Sequence, residues 1–376
     1  MDVLIAPYPF ATIKPNHGMG FVKIPDLAPE FGKVANPREG FVRPSVDGKQ
    51  GYWRFVPFDL MDVAGLVEGA SEGKGLGNEF LNDLAGADAF IHIVDMSGET
   101  NGEGKPTKDY YPGNDIRIIE SELDKWFLGI LTKVWKTFAR TAEMQKKNLA
   151  EAIANQFSGL KVKVEDVKTV LRKVSFNSEK PSSWTETQIA EFARALRKHS
   201  KPMILACNKM DAPNAKSNFE KVKKEFDYLM IPCYAEGELA LKEADRNGLI
   251  EYIPGEKTFK ALKELNEKQK AALDSIQKFL NEYGSTGVQE VLNKTVFEIL
   301  NYIAIFPAGE KMTDSKGNVL PDCFLMPKGS TALDFAYRLH RDIGKNFVKA
   351  IHIKTKKAVG KEYILQHRDG LEIMTK

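Results

Sequence analysis

Four short apolar runs, GYWRFVPFDLM (51–61), AFIHIVDM (89–96), PMILACNKMD (202–211) and YLMIPCYA (228–235), set the rhythm of this chain. Their length and their β-branched and aromatic content predict buried strands. The stretches between them have helical character, including a helix expected over 78–86, and strands alternating with helices predict a parallel, helix-covered α/β sheet. Ligands on such sheets gather at the carboxyl ends of the strands, where Asp62, Asn208 and Tyr234 fall.

About a hundred residues between the second and third runs break that rhythm. No proline occurs over 114–157, and Ile116, Ile119, Leu123, Trp126, Ile130, Val134 and Phe138 recur at three- and four-residue steps. That spacing predicts one long amphipathic helix. Further helices over 165–173 and 183–199, with SEKPSSW (178–184) as the turn, would fold back on it as a helical insertion. The apolar stripe is read as intramolecular packing.

Beyond 235 the pattern predicts helices over 239–247, 256–283 and 286–301, the last capped by Ser285 or Thr286 in GSTGVQE. From Tyr302 onward short alternating segments surround one helix, ALDFAYRLHRDI, and predict a small β-grasp module. The expected division is a nucleotide-domain core over 1–100 and 200–301, a helical insertion over 101–199 and the terminal module over 302–376.

Composition narrows the class. With 43% hydrophobic and 28% charged residues, 376 residues can bury the cores of two or three domains. The sequence has no apolar run long enough to span a bilayer and no secretory-type start in its first residues, so a soluble, cytosolic protein without a membrane partner is expected. Three scattered cysteines, Cys207, Cys233 and Cys323, have neither disulfide-framework nor zinc spacing. The net charge of +3 is unevenly spread: residues 302–376 carry 13 Lys and Arg against 8 Asp and Glu. Arg338, Arg341, Lys354, Lys356 and Lys357 are candidate phosphate contacts there, and an ordinary solvated face is the alternative.

Two strand-end motifs carry chemistry. In Asp62-Val63-Ala64-Gly65 the carboxylate can reach a magnesium ion through water and the Gly65 amide can sense a terminal phosphate. In Asn208-Lys209-Met210-Asp211 the Asp211 carboxylate can accept from guanine N1 and N2, Asn208 can bridge to neighbouring loops, and the Lys209 stem can cover the ring. Adenine lacks the matching donors, so the wrong base would leave the carboxylate unpaired. The alternative for Asn-Lys-Met-Asp is a helix cap ahead of Pro213. The ordered succession of a threonine-bearing segment near residue 12, Asp-x-x-Gly and Asn-Lys-x-Asp favours a nucleotide site.

APYPFATIKPNHG, MDVAGLVEGASEGKGLGNEFL, NKMD, GSTGVQEVLN and LPDCFLMPKGSTALDFAYRLH together resemble the Obg-like YchF family of translation-associated P-loop NTPases, over nearly the whole chain. The resemblance implies a P-loop G domain with a helical insertion and a C-terminal TGS domain of β-grasp form. It implies GTP and GDP as ligands, Mg2+ as cofactor, and ribosomes or ribosome-bound RNA as partner. Thr12 matches the switch threonine on magnesium, Asp62 and Gly65 the second switch, and Asn208, Lys209 and Asp211 the base motif. Leu66 stands where Ras-type enzymes carry a catalytic glutamine, which implies a hydrophobic-substituted hydrolase. In the last base loop Tyr234-Ala235 replaces the usual Ser-Ala. Many relatives depart from the base motif and prefer ATP, whereas its retention here points to GTP.

No segment of the 376 residues matches Gly-x4-Gly-Lys-Ser/Thr. Gly98 to Lys105 has one residue too many and is followed by Pro106. The resemblance implies a sheet lacking its first strand in this sequence, with a strand, phosphate loop and helix start of roughly 20 residues expected ahead of Asp2. With that segment the expectation is a GTPase, with it truly missing a non-hydrolysing RNA- or ribosome-binding adaptor. ATP hydrolysis is a further alternative.

Overall fold

The computed structural model describes residues 16–45, 51–63, 84–102, 104–144, 148–309 and 311–376. In chain order its elements begin with strands β1 (Asn16–Pro25), β2 (Phe41–Pro44), β3 (Tyr52–Asp62) and β4 (Phe90–Asp95). Helices α1 (Gly113–Met144), α2 (Leu149–Gln156), α3 (Val164–Val174) and α4 (Glu186–Ser200) follow. Next come β5 (Met203–Asn208), α5 (Ala215–Glu225), β6 (Leu229–Pro232), α6 (Ala235–Arg246), β7 (Ile250–Glu251), β8 (Lys260–Ala261), α7 (Glu267–Tyr283) and α8 (Val288–Lys294). The chain closes with β9 (Tyr302–Pro307), β10 (Phe324–Pro327), α9 (Ala332–Leu339), α10 (Arg341–Lys345), β11 (Phe347–His352), β12 (Ala358–Val359) and β13 (Asp369–Thr375). Contacts divide it into two units, Met1–Gly18 with Met61–Cys233 and Met19–Leu60 with Tyr234–Lys376.

The first unit holds a three-stranded parallel sheet in the order β4-β5-β6. Residues 203–207 of the central strand β5 are all buried, which explains why that run reads as continuously apolar. The helix expected over 78–86 falls largely outside the described residues.

The helical insertion is present, with two corrections. The single helix expected over 114–157 is two helices, because Asn148 caps α2 by accepting from the Ala150 amide at 3.1 Å. The buried row of α1 also runs beside the expected one. Ile116 and Leu123 lead into Phe127, Leu131, Trp135 and Ala139, while Trp126, Ile130 and Phe138 only flank that core. A 3.6-residue period carries two adjacent apolar rows on one face, and packing against α4 selects between them. Thr185 caps α4 through a capping box with Gln188. At the root of the insertion Arg197, 1% exposed, pairs with Asp124 at 2.7 Å.

In the second unit β1, β3 and β2 form a separate sheet in the order β1-β3-β2. The first apolar run therefore does not join the parallel sheet; β3 pairs antiparallel with β2, with Phe41 opposite Phe55 and their rings stacked at 4.4 Å. Apolar content carries no information on strand direction, and the nearest partner in sequence was available by hairpin. The terminal module is a five-stranded sheet, β10-β9-β13-β11-β12, with β9 and β13 parallel and the other pairs antiparallel. Phe335 of α9 packs on Ile303 and Ile305 of β9, while Ala304 and Phe306 face a core shared with Val22, Ile24 and Val56.

Two helix starts in this unit differ from expectation. α7 begins at Glu267 rather than 256, because Asn266 and Gln269 form a capping box and 250–261 is drawn into the β7-β8 hairpin. α8 takes Gly287 as its N-cap, without a side-chain cap; Ser285 Oγ instead accepts from the Gly287 amide at 3.0 Å. Among the described residues no helix is long and apolar enough to cross a membrane.

Candidate functional site

The carboxyl edge of the parallel sheet is built from three adjacent turns in the first unit. Asp95 ends β4 and stands opposite Asn208, the last residue of β5. Beyond them the Met96 amide donates to Asn208 O at 3.0 Å, and on the other side the Met210 amide donates to Cys233 O at 3.1 Å. The Cys233 amide in turn donates to Cys207 O at 2.7 Å. The Asn208–Asp211 turn is thus fastened by backbone on both flanks, and Lys209 within it sits in the left-handed region at φ +58°.

The side chains of that turn point different ways. Met210 is buried and Asn208 half-buried, whereas Lys209 and Asp211 are exposed. Among the described residues Asp211 has no hydrogen-bond or ion-pair partner, and α5 begins four residues later with Asn214 as its N-cap. The helix-cap alternative is therefore not what Asp211 does. Its carboxylate is a solvent-facing acceptor on a turn whose backbone is hydrogen-bonded on both flanks.

Lys209 Nζ lies 2.7 Å from Asp95 Oδ2. The same oxygen accepts from Thr100 Oγ1 at 2.7 Å, and Asp95 Oδ1 accepts from the Ser97 amide at 2.9 Å and Ser97 Oγ at 2.6 Å. Burial alone would raise the Asp95 carboxyl, but the bonds from Lys209, Ser97 and Thr100 outweigh it and hold the group below the usual carboxylate range. Just beyond, Thr100 and Pro106 form an isolated antiparallel bridge. Sequence reading passed over Asp95, although its place at a strand end is the same signal that singled out Asp62 and Asn208.

Asp62 closes β3 and is exposed. Thr12, Gly65 and Leu66 lie outside the described residues. In the second unit Tyr234 is the N-cap residue of α6 and Ala235 its first residue. The Tyr234 amide donates to Thr286 O at 2.9 Å, and its ring lies against Gly237 and 5.2 Å from the Phe279 ring. Any side chain at 237 would meet that ring, since a Cβ there would come within 2.5 Å of it.

The five basic candidates separate into two places in the terminal module. Arg338 and Arg341 are exposed near the α9–α10 junction, with Arg338 5.6 Å from the Phe324 ring. Lys354, Lys356 and Lys357 share the turn between β11 and β12, closed by His352 N to Lys357 O at 2.9 Å and Lys356 N to His352 O at 2.8 Å. His352 Nδ1 accepts from the Thr355 amide at 3.3 Å and its Nε2 faces Asp369 at 3.1 Å, so the turn is anchored from inside. Lys354 is engaged by Glu30 at 2.8 Å.

The chain is similar to known proteins along most of its length. A family model described as Obg-like GTPase YGR210-like, G4 motif-containing domain, matches residues 206–310, and a TGS domain model matches residues 303–375. The chain is 45% identical over 376 residues to an uncharacterized GTP-binding protein of Methanocaldococcus jannaschii, covering 99% of this chain and 92% of that one. It is 28% identical over 364 residues to the ribosome-binding ATPase YchF of Bacillus subtilis, covering 92% and 80% of the two chains. The crystal structure of a GTP binding protein from Pyrococcus horikoshii OT3 superposes with a TM-score of 0.77 at 34% identity, over 98% of this chain and 95% of that one. With 45% identity sustained across almost the full length of both chains, the protein belongs to the Obg-like YchF family.

Proposed function

We propose that this protein binds guanine nucleotides, hydrolyses GTP with Mg2+ in the cytosol, and works at the ribosome or on ribosome-bound RNA. The observation that carries the reading is the exposed Asp211 carboxylate, without a partner among the described residues, on a turn fastened to both neighbouring strands. A carboxylate held on that turn can take both the N1–H and N2–H donors of guanine, and adenine offers no such pair. Desolvating it under the wrong base leaves it unpaired, which is the stronger source of discrimination.

Asn208 and the Lys209 stem complete the base motif, with Tyr234 and Ala235 as the further base loop. Thr12 and Asp62 are the residues that would hold Mg2+, and the exposed carboxylate at the end of β3 suits that task. When bound, the ion neutralises charge that develops on the transferring phosphate. The Gly65 amide reports the terminal phosphate, and Leu66 leaves water positioning to another group.

Relatives carry the names GTP-binding protein and ribosome-binding ATPase. Retention of Asp211 favours GTP, and the anchored basic turn at 354–357 supports a phosphate-rich partner. The test is competition of GTP and ATP for a fluorescent GDP bound to the natural protein with Mg2+. Tighter GTP binding is expected; tighter ATP binding would overturn the base assignment, and RNA binding indifferent to any nucleotide would favour the adaptor reading.

A further inference from the structure

We propose that Asp95 is a positioning residue for the nucleotide base, acting through Lys209. The inference rests on the reading of Asn208, Lys209 and Asp211 as the base motif. Asp95 is fixed independently of Lys209, because Ser97 and Thr100 of its own turn donate three hydrogen bonds to the carboxylate. Lys209 Nζ then docks on a preset anchor at 2.7 Å.

The ion pair is not required to join the strands. Six residues of β4 and β5 already pair in register, and the Met96 amide continues the ladder to Asn208 O. The Lys209 side chain is 48% exposed, and ion pairs of that exposure contribute little to folding. What the pair does is fix direction. A lysine held at its tip keeps its methylene stem extended as an apolar surface, and the freedom that a loose lysine would lose on covering a base is already lost before the ligand arrives.

The carboxylate belongs to the β4 turn and the lysine to the β5 turn, so Asp95 sets where the base motif presents its stem without touching the base. An Asp at the end of the strand adjacent to an Asn-Lys-x-Asp strand, followed by Ser two residues on, is the sequence form of this device.

The test is a double-mutant cycle on the natural protein, with fluorescent GDP as probe and thermal melting as control. Asp95→Asn keeps the shape of the side chain and removes its charge; Lys209→Met keeps the stem and removes the amine. Each is expected to weaken GDP binding by about tenfold, the double variant by no more than the larger single, and melting to be little changed. Acylation of the Lys209 amine without nucleotide, read by mass spectrometry, is expected to quicken several-fold in Asp95→Asn. GDP affinity within twofold of wild type in Asp95→Asn, multiplicative losses in the double variant, or unaltered Lys209 acylation would each overturn the inference. Asp211→Asn in the same series separates the two readings: if it abolishes guanine preference while Asp95→Asn does nothing, only the Asp95 role fails. If Asp211→Asn is equally inert, or wild type binds no guanine nucleotide, the base-motif reading fails and takes this inference with it.

Discussion

Thr286 Oγ1 donates a 2.6 Å hydrogen bond to Glu238 Oε2, with Thr286 fully buried and Glu238 only 3% exposed. The same carboxylate oxygen accepts from Tyr252 OH at 2.6 Å, and Lys242 Nζ approaches the other oxygen at 3.3 Å. Because Thr286 O also accepts the Tyr234 amide, the GSTG segment ties the start of α6 to a buried carboxylate. The motif was legible as a helix cap; its chemistry is a buried anchor.

Thr286→Val keeps the side-chain shape and removes one donor from a carboxylate that cannot reach water. A loss of about 1–3 kcal/mol is expected, read as a lower urea midpoint, with Thr286→Ser restoring most of it. Equal stability of the valine and serine variants would contradict the anchoring role.

His92 on β4 stands opposite Leu205, and its Nδ1 is buried with no partner among the described residues. Burial lowers its pKa to about 4. Since the folded value lies below that of the free side chain, the unfolded chain takes up a proton first as pH falls through about 6.5. Stability is therefore full above that pH, declines toward pH 4 by about 2–3 kcal/mol, and levels off below. His92→Leu should flatten that part of the acid limb when urea midpoints are compared at pH 7 and pH 4.5.

Arg197 is shut in at the root of the helical insertion, with Asp124 at 2.7 Å and Glu120 at 3.7 Å. Asp124→Ala strands most of that buried charge and should cost about 3 kcal/mol in denaturant unfolding. A change below about 1 kcal/mol would mean that Glu120 alone compensates.

In the basic turn, Lys356 and Lys357 are exposed, while Lys354 is already paired with Glu30. Replacing Lys356 and Lys357 by Ala together should weaken binding to ribosomes and reduce the slope of log affinity against log salt by about 1–2. Lys354→Ala should change it less. A slope that stays unchanged in the double variant would contradict a phosphate-binding role for this turn.

The central strand β5 was readable because a strand covered on both faces leaves a continuous apolar run bounded by polar turns, and the partly buried β4 and β6 because their short runs are also apolar. Pairing direction was not, and β3 turned back on β2. The insertion was readable as helical, but the choice between the Trp126–Ile130 row and the Phe127–Leu131 row belongs to packing against α4, which periodicity does not encode. In the site, the Asn208–Asp211 turn stood out because its residues adjoin in sequence. Asp95 did not, because its partner is more than a hundred residues away and only sheet register brings them together. Thr12, Gly65 and Leu66 lie outside the described residues.

The central claim is that Asp211 reads guanine, and base preference of Asp211→Asn in the natural protein tests it most directly. An amide at this position presents a donor where guanine needs an acceptor, and xanthine, with a carbonyl at C2, supplies the acceptor that the amide can use. The account predicts that the variant loses GTP affinity by about 10²–10³-fold and gains XTP affinity, with ATP unchanged. Undiminished preference for GTP would contradict it.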